Sequence, residues 1–262
     1  MKKDRVVLLS FDVEEFDLPL EYNLPISEQQ QMEIGKAGAE EMKNIIEAGK
    51  VPATLFTTAN FAQHYPELIK TLAQKNEIAS HTFYHSSFKD EDLKNSGDTL
   101  ERITGNKVTG LRMPRFKKID INLVKEAGYS YDSSVNPTYI PGKYNNLNLP
   151  RTLYKEKNFL RLPVSVTPVL RFPLFWLSFK NIPYPIYKKM AINTLAKDGY
   201  LSLYFHPWEF ADISKWKIPF YIKKDSGRRL ADRLSMLITD LKKEAQFETF
   251  SNFIAGYTKS PL

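Results

Sequence analysis

Short apolar runs alternate with longer amphipathic stretches along most of the chain. The apolar runs are typical of buried strands, and the stretches between them have the spacing of helices. Strands that alternate with helices need crossover connections, so the pattern predicts a mainly parallel α/β sheet. The predicted strands are 5–12, 51–57, 77–81, 108–112, 130–134, 159–164 and 201–206. The predicted helices are 36–49, 60–74, 91–104, 120–127, 185–197 and 226–244.

Two segments interrupt this rhythm. Residues 136–149 are rich in Asn, Pro, Gly and Tyr and show no period, so they predict a long surface loop that is placed to cover a site. Residues 159–187 contain several prolines among many aromatic residues. Those prolines and the charges of Arg161, Arg171 and Lys180 exclude a transmembrane helix. We expect this segment to cap a barrel or to line a ligand groove.

The composition narrows the choice of architecture and of site. A length of 262 residues suits one large α/β domain, and we expect a single domain over 1–262. The chain has no cysteine, so a metal ion would have to be bound by His, Asp or Glu. The first apolar run is too short for a signal peptide, which makes the cytoplasm the expected location.

The net charge of +7 is unevenly distributed. Residues 1–150 carry 18 basic and 21 acidic side chains, whereas residues 151–262 carry 19 and 9. Basic pairs such as Lys188-Lys189 suit an anionic glycan, a lipid phosphate or a membrane surface, and they equally suit a solvated helix face. We expect at most a weak, salt-sensitive association with membranes. Only the net charge favours nucleic-acid binding, so we expect none.

Polar residues stand at the carboxyl ends of five predicted strands. Parallel α/β barrels and sheets gather their catalytic side chains at this edge. Because the five residues come from distant parts of the sequence, only a closed or strongly curved sheet brings them together. They are Asp12, His81, Arg112, Asp132 and His206.

Two histidines have the spacing of metal ligands. His81 and His85 are four residues apart, which places both imidazoles on one side of a helical turn. Two solvated surface histidines have the same spacing, so a third ligand decides between these interpretations. His64 lies before Pro66 in a predicted surface helix, and we expect it to be structural.

Carboxylates follow the first predicted strand. Asp12 ends an apolar run, where a carboxylate needs a partner or a cation. In extended backbone Asp12 and Glu14 point to one side and Glu15 to the other. One carboxylate of the first pair is then free to bind a metal ion and the other to accept a proton. A solvated acidic turn explains Glu15 and Asp17.

Five short motifs contain most of these candidate residues. In order along the chain they are Ser10-Phe11-Asp12, Ser80-His81-Thr82-Phe83-Tyr84-His85-Ser86, Arg112-Met113-Pro114-Arg115, Tyr129-Ser130-Tyr131-Asp132-Ser133-Ser134 and Leu203-Tyr204-Phe205-His206-Pro207-Trp208-Glu209. They resemble, in the same order, the motifs of the polysaccharide deacetylases with the NodB-like fold, carbohydrate esterase family four. The first motif with the residues after it, Phe-Asp-Val-Glu, and the end of the fifth, His-Pro-Trp-Glu, are most similar to a cytoplasmic branch linked to exopolysaccharide synthesis.

This resemblance implies a distorted (β/α) barrel of about seven strands. It implies hydrolysis of an N-acetyl, or occasionally an O-acetyl, group on an amino-sugar polysaccharide or glycan precursor. It also implies a divalent metal ion, usually zinc, bound by a carboxylate together with His81 and His85. Val13 stands where the family has the metal-binding Asp, so we expect Glu14 to take its place.

The remaining residues acquire expected roles from this chemistry. Asp12 is the expected general base and His206 the expected general acid, with Asp132 orienting His206. Arg112 is expected to hold Asp12 ionised, although a salt bridge that supports the barrel is an alternative for Arg112 and Asp132. Arg115 is expected to offer its backbone N–H to the oxyanion. Tyr131 and Trp208 are candidate sugar platforms, and core positions explain them equally well.

Two other functions stay open. A metal-free glycan-binding or scaffold protein on the same fold is consistent with Val13, but retention of His81, His85 and His206 opposes it. A metal-independent amide hydrolase of the same superfamily is the second alternative, and the metal content of the protein separates it from the first assignment.

Overall fold

The computed structural model describes residues 5–259. The strands are β1 (Val6–Val13), β2 (Thr54–Thr57), β3 (Glu77–Ser80), β4 (Gly110–Leu111), β5 (Tyr131–Asp132), β6 (Tyr139–Ile140), β7 (Tyr144–Asn145), β8 (Tyr154–Glu156), β9 (Phe159–Arg161), β10 (Tyr200–Phe205) and β11 (Gln246–Glu248). The helices are α1 (Glu28–Gly49), α2 (Ala59–His64), α3 (Pro66–Ala73), α4 (Glu91–Thr104), α5 (Ile121–Glu126), α6 (Trp176–Asn181), α7 (Tyr184–Asp198), α8 (Phe220–Lys223), α9 (Arg228–Leu241) and α10 (Phe250–Lys259).

The sheet is a curled half-barrel. Parallel pairing runs in the order β10-β1-β2-β3-β4-β5-β9, and β8 adds to β9 in antiparallel orientation. Beyond β9, the backbone N–H of Ser165 donates to the carbonyl of Ser202 in β10 at 2.9 Å. This bond links the segment that follows β9 to β10 across the gap that the sheet itself leaves open. The expected distorted barrel of about seven strands is therefore confirmed.

Side-chain alternation in β1 separates the outer layer from the barrel interior. All eight residues of β1 are buried, as expected for a parallel strand covered on both faces. Val7, Leu9 and Phe11 pack with side chains of the surrounding helices. Leu8 faces the interior with residues of the other strands, and the same alternation brings Asp12 to the carboxyl end of the interior.

Helix α1 lies unusually close to the backbone at that end. A Cβ atom on Gly38 would lie 2.0 Å from the carbonyl oxygen of Pro207, and one on Gly35 would lie 2.6 Å from that of Glu14. Only glycine permits these approaches. Helix α1 therefore fixes the segments that follow β1 and β10, and both segments carry candidate site residues.

The opposite end of the barrel is filled by the start of α10. The ring of Phe250 lies 5.5 Å from that of Phe56 and 6.0 Å from that of Tyr131. Tyr131 is fully buried, and its hydroxyl donates to Glu77 at 2.7 Å. The expectation that Tyr131 forms a sugar platform is therefore wrong, because its ring belongs to the core at the closed end.

Several predicted elements differ in detail from the observed ones. The helix predicted over 60–74 is divided into α2 and α3 at Tyr65, because Pro66 starts a new helix more readily than it continues one. The loop predicted over 136–149 contains the small hairpin β6–β7. The proline-rich segment 159–187 includes α6, which lies beside the candidate site. Within residues 5–259, no helix is long and apolar enough to cross a membrane.

Candidate metal and acid–base site

Most of the polar residues expected at strand ends converge at the carboxyl end of the barrel. Among the residues the structure describes, one group of His and carboxylate side chains has ligand atoms close enough to hold a metal ion. That group is Glu14, His81 and His85, and all three side chains are buried. Asp12 and His206 lie 3.9 Å apart at the same end of the barrel, where His206 also interacts electrostatically with Glu14.

The three ligand atoms have the separations of a metal site. Oε2 of Glu14 lies 3.2 Å from Nε2 of His81 and 3.2 Å from Nε2 of His85. A tetrahedral zinc ion with bonds of about 2.0 Å places its ligand atoms about 3.3 Å apart. Oε2 is fully buried and has no hydrogen-bond partner among the described residues. Since buried oxygens are normally paired, this atom is positioned to bind a cation.

Both imidazoles are oriented by contacts at Nδ1, on the side of the ring away from the site. Nδ1 of His81 lies 2.7 Å from the carbonyl oxygen of Arg112, so Nδ1 carries the proton and Nε2 is left for the site. Nδ1 of His85 lies 2.8 Å from Oδ1 of Asp17. Such second-layer partners fix the tautomer and the ring orientation of metal-binding histidines.

Trp208 orients the third ligand. Its indole N–H donates to Oε1 of Glu14 at 3.0 Å, which leaves Oε2 directed at the two histidines. Trp208 is buried and packs against Phe16. The expectation that Trp208 forms a sugar platform is therefore wrong, because its faces are covered by protein.

Asp12 is held by a buried arginine. Nη1 of Arg112 donates to Oδ1 of Asp12 at 2.5 Å, and Nη2 donates to Ser10. The guanidinium also lies 3.9 Å from the centre of the Phe56 ring, so it has no exposed surface. The other carboxylate oxygen of Asp12 lies 3.9 Å from Nε2 of His206. The site therefore places one acidic and one imidazole group side by side.

His206 is oriented by Glu209 and not by Asp132. Nδ1 of His206 lies 3.2 Å from Oε1 of Glu209, which also accepts the His206 backbone N–H at 2.9 Å. Asp132 instead pairs with Arg161 at 2.9 Å and accepts bonds from Ser134. The expected Asp132–His206 pair is thus corrected, because Asp132 is engaged by its own neighbours.

The acidic turn after β1 is buried. Glu15 accepts a bond from the Thr58 hydroxyl at 2.7 Å and one from the His85 backbone N–H at 3.1 Å. Asp17 is only 3% exposed. The expectation of a solvated turn is wrong for both residues, because each carboxylate supports the segment that carries His85.

Arg115 closes the rim of the site. Its backbone is in the left-handed region with a φ of 55°, which turns the chain sharply after β4. Its guanidinium donates to Asp17 at 3.0 Å and to Glu21 at 2.5 Å. Arg115 therefore links the third motif to the acidic turn.

The electrostatics favour an ionised carboxylate facing the imidazoles. Burial opposes charge on Glu14, but His85, His81 and His206 hold its pKa well below the usual range. Burial likewise opposes charge on His85, yet Glu14 and Asp17 raise its pKa to about 9. A proton on His85 and a metal cation therefore compete for the same place.

His64 lies elsewhere, on α2, where Nδ1 contacts the carbonyl of Asn60 at 2.9 Å. Its expected structural role fits this position. Glu209 and Asp17 contact His206 and His85, and the sequence predicted neither contact. Glu209 follows His206 by three residues, a spacing that already signals a side-chain bond across a single turn.

Comparisons with known proteins are consistent with this site. A family model for polysaccharide deacetylases matches residues 2–131. A search of curated proteins found no match to the sequence.

Solved structures share the fold over nearly the whole chain. A protein assigned as a polysaccharide deacetylase from Pseudomonas aeruginosa PAO1 has 15% identity and a TM-score of 0.68, covering 100% of this chain and 93% of its own. One from Mycobacterium smegmatis has 17% identity and a TM-score of 0.64, with the same coverage. An allantoinase has 15% identity and a TM-score of 0.66, covering 96% of this chain and 89% of its own.

At these identities the structural likeness shows the fold alone. The family model adds about half of the chain, including the segments that carry Glu14, His81 and His85. The ordered motifs and the curled half-barrel agree with it. The chain thus belongs to the polysaccharide deacetylase family, with the NodB-like fold of carbohydrate esterase family four.

Proposed function

We propose that this protein is a metal-dependent hydrolase that removes N-acetyl, or occasionally O-acetyl, groups from an amino-sugar polysaccharide or glycan precursor. One observation carries the proposal. The buried Oε2 of Glu14 faces two imidazole nitrogens at 3.2 Å, at the same end of the barrel as the Asp12–His206 pair.

The donor set suits zinc. Two imidazole nitrogens and one carboxylate oxygen form a three-ligand catalytic site that leaves a fourth position for water or substrate. Glu14, His81 and His85 would hold the ion. Glu14 would take the role of the family's metal-binding Asp, whose position Val13 occupies in this chain. A bound divalent cation polarises an acyl carbonyl and acidifies water at that position.

Asp12 is the proposed general base. Arg112 donates to one carboxylate oxygen of Asp12 and fixes it, so the other oxygen is left to accept a proton from the attacking water. Because Arg112 is itself fully buried against Phe56, this geometry is rigid.

His206 is the proposed general acid. Its Nε2 atom faces the site and is placed to protonate the nitrogen that leaves, which an amide requires because an unprotonated amine leaves poorly. Burial opposes a charge on His206, but Glu209, Glu14 and Asp12 raise its pKa. The backbone N–H of Arg115 is proposed to stabilise the oxyanion.

The glycan is proposed to contact the rim. Trp208 and Tyr131 are buried, so neither can stack on a sugar. Tyr84 is 41% exposed and directly precedes His85, which makes it the candidate aromatic contact in their place. We retain the cytoplasm as the proposed location, with salt-sensitive membrane association at most and no nucleic-acid partner.

One experiment tests the proposal as a whole. Metal analysis of the purified protein is combined with acetate release from a panel of N-acetylated oligosaccharides and O-acetylated analogues. We expect stoichiometric zinc and acetate release that a chelator abolishes and zinc restores. His64→Gln is the matched control, because this histidine lies on α2 away from the site.

Different outcomes identify the two alternatives. Chelator-resistant amide hydrolysis by metal-free protein would support a metal-independent hydrolase. The structural likeness to an allantoinase is the reason to test this alternative. Glycan binding without metal and without acetate release would support a binding or scaffold protein. Either result would refute the proposal.

A further inference from the structure

The ring of His206 packs against two indoles that also contact each other, with their ring centroids 5.6 Å apart. Trp208 stacks on one face, with centroids 4.9 Å apart and planes at 21°. Trp176 meets the ring edge-on at 5.1 Å and 89°. This packing allows the ring plane little freedom, so the remaining choice is which nitrogen faces the site. The contact between Nδ1 and Glu209 settles that choice and directs Nε2 toward Asp12.

Glu209 has a buried counterion that the proposed mechanism does not use. Nζ of Lys180 lies 2.9 Å from Oε2 of Glu209, and both side chains have 0% exposure. The ammonium also donates to the carbonyl of Ile222 at 2.7 Å. Burying an ion pair is unfavourable unless its geometry is good, and such pairs are weak sources of stability. A local function is therefore the better explanation for this one.

Helix α6 contributes two side chains to the surroundings of His206. Trp176 and Lys180 are four residues apart and so lie on the same face of the helix. The ammonium of Lys180 lies 5.3 Å from the centre of the Trp176 ring. One short helix in the proline-rich segment thus supplies both the ring that contacts His206 and the cation that pairs with Glu209.

Asp132 is the competing candidate and is occupied elsewhere. Its carboxylate is fully buried, pairs with Arg161 at 2.9 Å and accepts the backbone N–H of Ser134 at 2.9 Å. The hydroxyl of Ser134 donates in turn to Asp132, and Ser134 accepts the N–H of Met113 at 2.7 Å. Asp132 therefore supports the turn that follows β4.

We infer that Glu209, paired with Lys180, is the residue that positions His206 for proton delivery. This inference rests on the proposed function, in which His206 protonates the leaving group. Glu209 touches no substrate in this role. It fixes the orientation of the imidazole and stabilises the imidazolium, as the buried carboxylate of a catalytic triad does for its histidine.

The charges around His206 determine the expected sign of the effect. The acidic groups facing it are Glu209, Asp12 and Glu14, with Arg112 behind Asp12 and Lys180 behind Glu209. Replacing Glu209 by a neutral residue removes one favourable charge. The imidazolium then loses its proton at a lower pH, so activity that requires the acid form declines at a lower pH.

The first test needs no substrate. The protein has four histidines, so the NMR spectrum of the ¹⁵N-histidine-labelled, zinc-loaded form contains few signals. Replacing one histidine at a time assigns each signal to its residue. We expect Glu209→Gln to lower the pH at which His206 titrates by about one unit, a tenfold change in its proton affinity. Asp132→Asn is the matched control and should leave that titration unchanged. An unshifted His206 in Glu209→Gln, or a shift only in Asp132→Asn, overturns the inference.

The second test separates proton delivery from other defects. We expect Glu209→Gln to lower kcat for an N-acetylated oligosaccharide by about 10²-fold. Hydrolysis of 4-nitrophenyl acetate should change little, since its leaving group departs without a proton. An equal loss on both substrates would mean that Glu209 is merely structural.

A double variant guards against misfolding. Glu209→Gln leaves Lys180 buried without its counterion, whereas Glu209→Gln/Lys180→Met removes both charges together. We expect the double variant to reproduce the amide-specific loss with zinc fully retained. If the wild-type protein releases no acetate from any glycan, the proposed function fails, and the histidine titration still decides the inference.

Discussion

The proposed metal side of the site (Glu14, His81 and His85) and its proposed proton-delivery side (His206 and Glu209) are built differently. On the metal side, His85 and its partner Asp17 lie in the segments that follow β3 and β1. On the proton-delivery side, Glu209 is local to His206, but its counterion Lys180 comes from α6. The first is an assembly of neighbouring strand ends, whereas the second depends on an added helix.

Because the two sides are built from different elements, a substitution on one side should leave the other side intact. Removing a ligand group takes away the cation and, with it, the activated water. Removing a group on the proton-delivery side should leave the cation in place and slow only the steps that move protons. The following variants test that separation, beginning with the largest expected effect.

The metal side should fail completely when one ligand is lost. Glu14→Ala, His81→Ala or His85→Ala should reduce zinc from full occupancy to background and abolish acetate release. Metal analysis after gel filtration, with circular dichroism to confirm folding, checks this outcome. Full zinc occupancy in any of these variants would remove that residue from the ligand set.

A substitution at Asp12 should affect catalysis without affecting metal binding. Asp12→Asn should retain zinc but lower kcat by about 10²- to 10⁴-fold, because an amide cannot act as the base. The buried Arg112 would lose its charged partner, so the melting temperature should also fall. Zinc analysis measures metal binding in this variant, and steady-state kinetics measure its kcat. If Asp12→Asn empties the site while Glu14→Ala leaves it filled, then Asp12 is the ligand.

Asp17 should affect the metal side without being a ligand. Asp17→Asn weakens the bond that orients His85, so zinc affinity should fall by about 10- to 100-fold. Glu21→Gln is the matched control, because Glu21 lies exposed at the rim and pairs with Arg115 at 2.5 Å, not with His85. Competition with a chromophoric chelator measures both affinities. Equal losses in the two variants would contradict a specific role for Asp17.

The pH dependence of zinc binding should be the mildest effect. His85 must release its proton before it can bind zinc, and its pKa is about 9. Glu14 is ionised throughout the neutral range, since its pKa is lowered. Apparent zinc affinity should therefore rise by up to about tenfold per pH unit between about pH 6 and pH 8. Chelator competition across that range checks the slope, and a flat profile would contradict the protonated His85.

The sequence predicted that Glu14, His81 and His85 lie close together, and the structure brings them together for a physical reason. Glu14, His81 and His85 follow apolar strands, and strand alternation and helical spacing are local rules that survive without knowledge of the fold. The curvature of the sheet, by contrast, depends on how all its strands pack together and cannot be predicted from a short stretch of sequence. The position of Asp132 relative to His206 depends on it, so that pairing could not be read from strand ends alone.

Burial was the other quantity that local patterns could not supply. Glu15 and Asp17 look solvated in the sequence, but α1 approaches the backbone beside them through Gly35. Tyr131 ends up at the closed end of the barrel because Phe250, far along the chain, packs against it. In each case a distant element determines the exposure of the side chain.

The pairing of β1 also has a consequence for how the chain reaches this structure during synthesis. Residue Val6 pairs with Tyr200, so the first strand remains without one neighbour until the chain has grown through β10. At about 5 to 20 residues per second, the wait is on the order of 10 to 40 s. A hydrophobic edge exposed for that time is prone to aggregation. Until β10 has been synthesised, β1 is therefore a predicted aggregation site of the growing chain.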